Sequence, residues 1–177
     1  MSVKSNRSTS ADHDRMRAIY DFTTRGLNGP HPTPFGALIV HTKTGKPFMR
    51  ATNAVKQEHD PSSHAELRTV RLACKKLKST SLAGYTMYST CEPCPMCMAN
   101  ALWSGLDRVV FGATIADANR DCLQIQIPAK EVSRRSDMSC EVVGPVLREL
   151  CAQLFTHKNM QRALRTWTTS RRARRKQ

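Results

Sequence analysis

The chain has 177 residues, 40% of them hydrophobic and 6% aromatic, enough for one domain with a buried core and too many for a disordered chain. No apolar run approaches the roughly 20 residues that cross a bilayer, and the polar start, Met1 to Ser10, lacks the apolar block of a secretory signal. The net charge of +14 gathers at the ends: eight basic and no acidic residues in 158–177, and two basic residues in 1–11, which leaves +4 for residues 12–157. This divides the chain into a leader (1–11), one domain (12–157) and a basic tail (158–177).

In chain order, Met16, Ile19, Tyr20, Thr23 and Leu27 recur at the spacing of one helical face and predict a helix over 12–27. The apolar run 35–40 and the segment 48–55, joined by Lys43-Thr44-Gly45-Lys46, predict a β-hairpin. Ser63 is a suitable N-cap for a helix over 64–78 that buries Leu67, Val70, Cys74 and Leu77. Residues 85–90 and 108–113 read as strands around a short helix at 95–104 closed by Gly105. Residues 114–139 are irregular, and a short strand at 140–143 precedes a helix over 145–155. Strands alternating with helices predict an α/β domain with helices on both faces of one sheet.

His64, Cys94 and Cys97 have the composition of a catalytic zinc site, in which three protein ligands leave a fourth position for water. Seven cysteines at uneven spacing favour such a site, or free thiols in a reducing compartment, over a disulfide framework, so a cytoplasmic location is expected. Glu66, two residues from His64, is placed to take a proton from metal-activated water and deliver it to a leaving amine. Plainer readings compete. Cys-x-x-Cys occurs in redox pairs and structural zinc sites. Cys91, Cys94 and Cys97 mimic an iron–sulfur run, but Ala101 stands where its fourth cysteine is needed. Ser63 and Glu66 have capping-box spacing. None of these accounts for His-x-Glu followed by Pro-Cys-x-x-Cys, the zinc deaminase signature.

His64-Ala65-Glu66 with Pro93-Cys94-Pro95-Met96-Cys97 resembles the zinc-dependent cytidine and deoxycytidylate deaminase superfamily over roughly residues 35–118. The resemblance implies a three-layer α/β/α fold on a mixed five-stranded sheet, and a homodimer or larger assembly. It also implies His64, Cys94 and Cys97 as ligands of one Zn2+, Glu66 as proton shuttle, and a nucleobase or nucleoside as substrate. Within the superfamily, Pro34-Phe35-Gly36-Ala37, Asn53, Asp60-Pro61 and Cys91-Glu92 resemble the small bacterial guanine deaminases. That branch implies Phe35 packed on the base, Asn53 hydrogen-bonded to it, Trp103 lining the pocket and Asp117 as a second carboxylate handling protons or reading the base. The expected reaction is guanine to xanthine plus ammonia. The tRNA-specific adenosine deaminases share the Asn, the Asp-Pro and the metal motif. They usually carry Val in place of Phe35 and a Gly-rich stretch where this chain has Ala118-Asn119-Arg120-Asp121-Cys122. They are the alternative, and a cytosine-type deaminase is a further one.

Glu92 reads as a carboxylate capping backbone amides at a helix start, and Cys91 has no assigned role. The run Arg171-Arg172-x-Arg174-Arg175-Lys176 suits contact with RNA phosphates, although a solvated end is the favoured reading.

Overall fold

The structure, a computed structural model, describes residues 8–167. Its elements are α1 (Ser10–Gly26), β1 (Gly36–His41), β2 (Pro47–Thr52), α2 (Val55–Glu58), α3 (Ala65–Leu77), β3 (Tyr85–Cys91), α4 (Pro95–Trp103), β4 (Arg108–Ala113), α5 (Ile115–Ala118), α6 (Ala129–Arg134), β5 (Glu141–Val143), α7 (Arg148–Thr156) and α8 (Lys158–Ala163), ending in a 3-10 turn at Leu164–Thr166. The strands form one sheet in the order β2-β1-β3-β4-β5. β1 is antiparallel to β2 and β3, while the pairs β3–β4 and β4–β5 are parallel. Parallel neighbours need crossovers, and α4 supplies the first and the α5–α6 segment the second. This is the mixed five-stranded, three-layer architecture expected from the sequence.

β1, β3 and β4 are buried along almost their whole length, and strands covered on both faces read as continuous apolar runs. One core lies between the sheet and α1, α7 and α8, with Met16, Ile19, Leu38, Val110, Leu154 and Met160. The other lies beneath α3, α4 and α6, with Ile39, Val70, Met87, Met98, Val109 and Ala129. Close approach fixes two glycines. A Cβ at Gly36 would collide with Thr23 Oγ1 of α1, and one at Gly112 with Cys151 of α7 and the Thr90 carbonyl.

Several boundaries differ from the sequence reading. α1 begins before residue 12 because Thr9 and Asp12 form a capping box, so the leader boundary at residue 11 falls inside the helix. Asp12 is 1% exposed and accepts from Arg108 at 2.5 and 3.0 Å, from the Tyr88 hydroxyl at 2.8 Å and from the Thr9 amide at 2.7 Å. The helix α3 buries Ala65, Thr69, Val70 and Ala73 most deeply, leaving Leu67, Cys74 and Leu77 only half-buried. Small residues there let the helix lie close on the sheet. The segment 114–139 contains α5 and α6. Its first amides bind Glu92, whose Oε2 accepts from Ile115 and Oε1 from Ala129, so this carboxylate ties down α5 and α6 rather than capping α4.

The largest correction concerns the tail. Residues 158–167 are part of the packed domain: α8 and the 3-10 turn bury Met160 and Leu164 completely. The dense run Arg171 to Lys176 lies outside the described residues.

Candidate metal centre and substrate cavity

Two helix N-termini meet at the carboxyl end of β3. His64 is the N-cap of α3, and Cys94 is the N-cap of α4, with Pro95 at its first helical position. The His64 side chain makes no capping bond to α3, and the Cys94 sulfur lies against Cys97 in the first turn of α4. Ser63, expected as the cap of α3, instead donates to Glu58 and, at 3.0 Å, to Asp60. Asp60 also accepts from the Ser62 amide at 2.8 Å, while Arg68 clamps Glu58 and the Thr52 carbonyl. The Asp-Pro turn is therefore a rigid bracket that delivers His64.

His64 Nδ1 lies 3.6 Å from both Cys94 Sγ and Cys97 Sγ. Zinc bonds of about 2.0–2.1 Å to nitrogen and about 2.3 Å to sulfur at a tetrahedral angle require a separation of about 3.6 Å. Both nitrogen–sulfur edges therefore already have the length a zinc tetrahedron needs, and the three ligand atoms, all within 4.8 Å of one another, form the one candidate metal cluster among the described residues. The electrostatics agree with this. The Cys97 thiol and then His64 bring the Cys94 pKa down to about 4, and the Cys94 sulfur in turn raises that of His64. The hydrogen bond with Cys94 and then burial hold Cys97 well above the ordinary thiol value, and its sulfur accepts from the Leu67 amide. A divalent cation stabilises both thiolates, and the two positive helix ends support their charge.

Glu66, in the first turn of α3, is 4% exposed and not part of a capping box. Its Oε1 accepts from Ser89 of β3 at 3.2 Å, while Oε2 faces Cys97 Sγ at 3.8 Å. Burial pushes its pKa up from the usual carboxylate range. Such burial favours the protonated form, as suits a carboxylate that accepts and returns a proton.

His64, Cys94 and Glu66 line the floor of a cavity of about 890 Å³. Phe35 and Asn53 line it too. Asn53 Oδ1 is held by the Val55 amide at 3.0 Å, which leaves the amide donor without a partner among the described residues. Two residues expected at this site are elsewhere. Trp103, at the end of α4, is 77% exposed and is not a cavity wall. Asp117 accepts from the Thr114 amide and hydroxyl at 3.0 and 2.9 Å, and from Arg148 at 2.8 and 3.0 Å. It caps α5, and the Arg148 guanidinium holds its carboxyl well below the usual range, as a committed ion-pair partner and not a proton carrier.

The aromatic wall that the sequence reading did not identify is Trp167, stacked on Phe35 with ring centroids 6.3 Å apart. Asn159, Arg162, Ala163 and Thr166 extend this wall along α8 and the 3-10 turn. A signal was present: Met160, Ala163, Leu164 and Trp167 have the spacing of one helical face.

Residues 9–113 match the cytidine and deoxycytidylate deaminase zinc-binding region, and the chain belongs to that family. It is a hydrolytic deaminase with zinc as cofactor, and His64, Cys94 and Cys97 form the cluster that fits the ion. Guanine deaminase of Bacillus subtilis (strain 168) is 34% identical over 122 residues, 69% of this chain and 77% of that protein. The tRNA-specific adenosine deaminase of the same organism is 34% identical over 123 residues, 70% and 73% of the two chains. The crystal structure of guanine deaminase from Nitrosomonas europaea shares the fold, with a TM-score of 0.71 at 22% identity over 86% of this chain and 87% of that one. No helix among the described residues is long and apolar enough to cross a membrane.

Proposed function

We propose that this chain removes the exocyclic amine of a purine ring, with guanine and water giving xanthine and ammonia as the first reaction to test. The observation that carries this reading is the convergence of Phe35, Asn53 and Glu66 on the cavity that holds the metal cluster. Phe35 offers the base an apolar face, and the free donor of Asn53 suits a ring nitrogen or carbonyl acceptor. Zinc, when bound, supplies the Lewis acidity that makes a water nucleophilic at neutral pH. Ser89 fixes Glu66 Oε1, so Oε2 is the atom that accepts one proton from the water and passes it to the ring nitrogen, then takes the second proton from the new hydroxyl and passes it to the departing amine. Asp117 is not given a proton-transfer role.

The test is ammonia release by the zinc-loaded full chain across guanine, adenine, cytosine, isocytosine, their nucleosides and a tRNA anticodon stem. Guanine turnover, lost by about 10²-fold or more in Glu66→Gln with zinc retained, is the expected result. An inert guanine with a reactive anticodon stem transfers the assignment to adenosine in tRNA. That second reading draws support from the equal identity of the tRNA-specific relative and from Lys158, Arg162 and Arg165 at the cavity's end of the chain. Exposed Trp103 and Met96 on α4 support assembly of the enzyme as a homodimer.

A further inference from the structure

The cavity mouth carries charge that a purine cannot use. Lys56 of α2 and Arg162 of α8 both line it, and Lys56 Nζ donates to Thr166 Oγ1 at 3.2 Å, tying α2 to the 3-10 turn that follows α8. Arg162 is exposed and has no hydrogen bond or ion pair among the described residues. By contrast, Arg68 is paired with Glu58, Arg71 with Asp60, Arg108 with Asp12 and Arg148 with Asp117. Among the described residues, no salt bridge pairs Lys56 or Arg162 with a carboxylate. Among the described residues, the acidic ones lining the cavity are Glu66, at the metal centre, and Glu92, both of whose oxygens bind backbone amides.

The reacting end needs no such charge. A purine is neutral at physiological pH, as is the ribose attached to it, and Asn53 and Phe35 serve them with a neutral donor and an apolar face. A cavity of about 890 Å³ also exceeds what a flat bicyclic base fills. We propose that Lys56 and Arg162 form a phosphate subsite, so that the purine arrives as a nucleotide whose ring lies at the metal centre and whose phosphate meets the two cations. This inference rests on the purine-deaminase reading and narrows its substrate. A planar guanidinium and an ammonium lining one cavity suit a phosphate, which takes paired bonds from the first and a point charge from the second.

Steady-state ammonia release is measured with guanine, guanosine and guanosine 5′-monophosphate, the matching adenine series and an RNA hairpin. Enzymes are the zinc-loaded wild type, the double variant Lys56→Ala/Arg162→Ala and the conservative Lys56→Arg/Arg162→Lys. The expected result is a kcat/KM for nucleotide about tenfold or more above nucleoside, set by KM and eroded by salt. That ratio should collapse towards one in the alanine variant and recover in the conservative one. Turnover confined to the hairpin, with the same loss on alanine substitution, identifies a strand as the source of the phosphate. Equal turnover of nucleoside and nucleotide, or an alanine variant that keeps the ratio, overturns the subsite. Binding of the same compounds to zinc-loaded Glu66→Gln is the second readout. If no purine is deaminated the purine reading fails, and equal affinity for nucleoside and nucleotide in that assay removes the subsite separately.

Discussion

Asp117 separates a structural carboxylate from a catalytic one, and Asp117→Ala makes the distinction measurable. The side chain is 6% exposed and accepts the Thr114 amide at 3.0 Å and its hydroxyl at 2.9 Å. Loss of that cap costs about 1 kcal/mol, and stranding the partly buried amide brings the total to about 2 kcal/mol. The contact with Arg148, a side chain that is 45% exposed, is screened by solvent and receives no separate value. For a chain of this size about 2 kcal/mol moves a urea midpoint down by about 1 M, yet leaves nearly all molecules folded in buffer. Ammonia-release kcat should therefore stay within about threefold of wild type, whereas removing a proton carrier lowers it about 10²- to 10⁴-fold. A hundredfold loss of kcat at an unchanged urea midpoint would refute this reasoning and return Asp117 to the chemistry.

Four further outcomes are expected. Burial alone would raise the Asp12 pKa, but Arg108, the Thr9 amide and the Tyr88 hydroxyl outweigh it and bring it to about 2. The depressed value stabilises the fold by about 2 kcal/mol above the unfolded pKa of about 3.9, and this is lost as pH falls towards 2. Urea unfolding of wild type minus Asp12→Asn should show that difference shrinking between about pH 5 and 3, and a constant difference contradicts it. Cys97→Ala should leave the protein with less than stoichiometric zinc by elemental analysis and with no ammonia release; full zinc content would exclude Cys97 as a ligand. Gly112→Val should lower the urea-derived stability by about 3 kcal/mol or more, because any Cβ meets Cys151 and the Thr90 carbonyl. Trp103→Lys, on the exposed face of α4, should shift the mass seen by light scattering from dimer to monomer, and an unchanged dimer places the interface elsewhere.

The metal centre was legible because its determinants are local. His64 and Glu66 share one helix start, Cys94 and Cys97 another, and each N-terminus imposes its own geometry. Buried strands were legible for a similar reason: β1, β3 and β4 are covered on both faces and so appear as continuous apolar runs. Asp117 was not, because the residue that fixes its role, Arg148, is 31 positions away and periodicity names faces without naming partners. Ser63 and Glu66 show the same limit in reverse. Their spacing suits a capping box, but Glu58 and Asp60 claim the Ser63 hydroxyl while Ser89 claims Glu66.

The misplaced tail has a different cause, and it bears on function. Net charge over residues 158–177 averages two unlike pieces, an amphipathic stretch ending at Trp167 and the basic run that begins at Arg171. A helix as short as α8, six residues, is not stable in isolation and forms because Met160 and Leu164 are buried against the core built from α1 and α7. The stack of Trp167 on Phe35 spans most of the chain, and no local pattern specifies such a contact. The same burial places Arg162 in the cavity lining and Trp167 against Phe35, so residues 162–167 help to shape the cavity over the metal cluster.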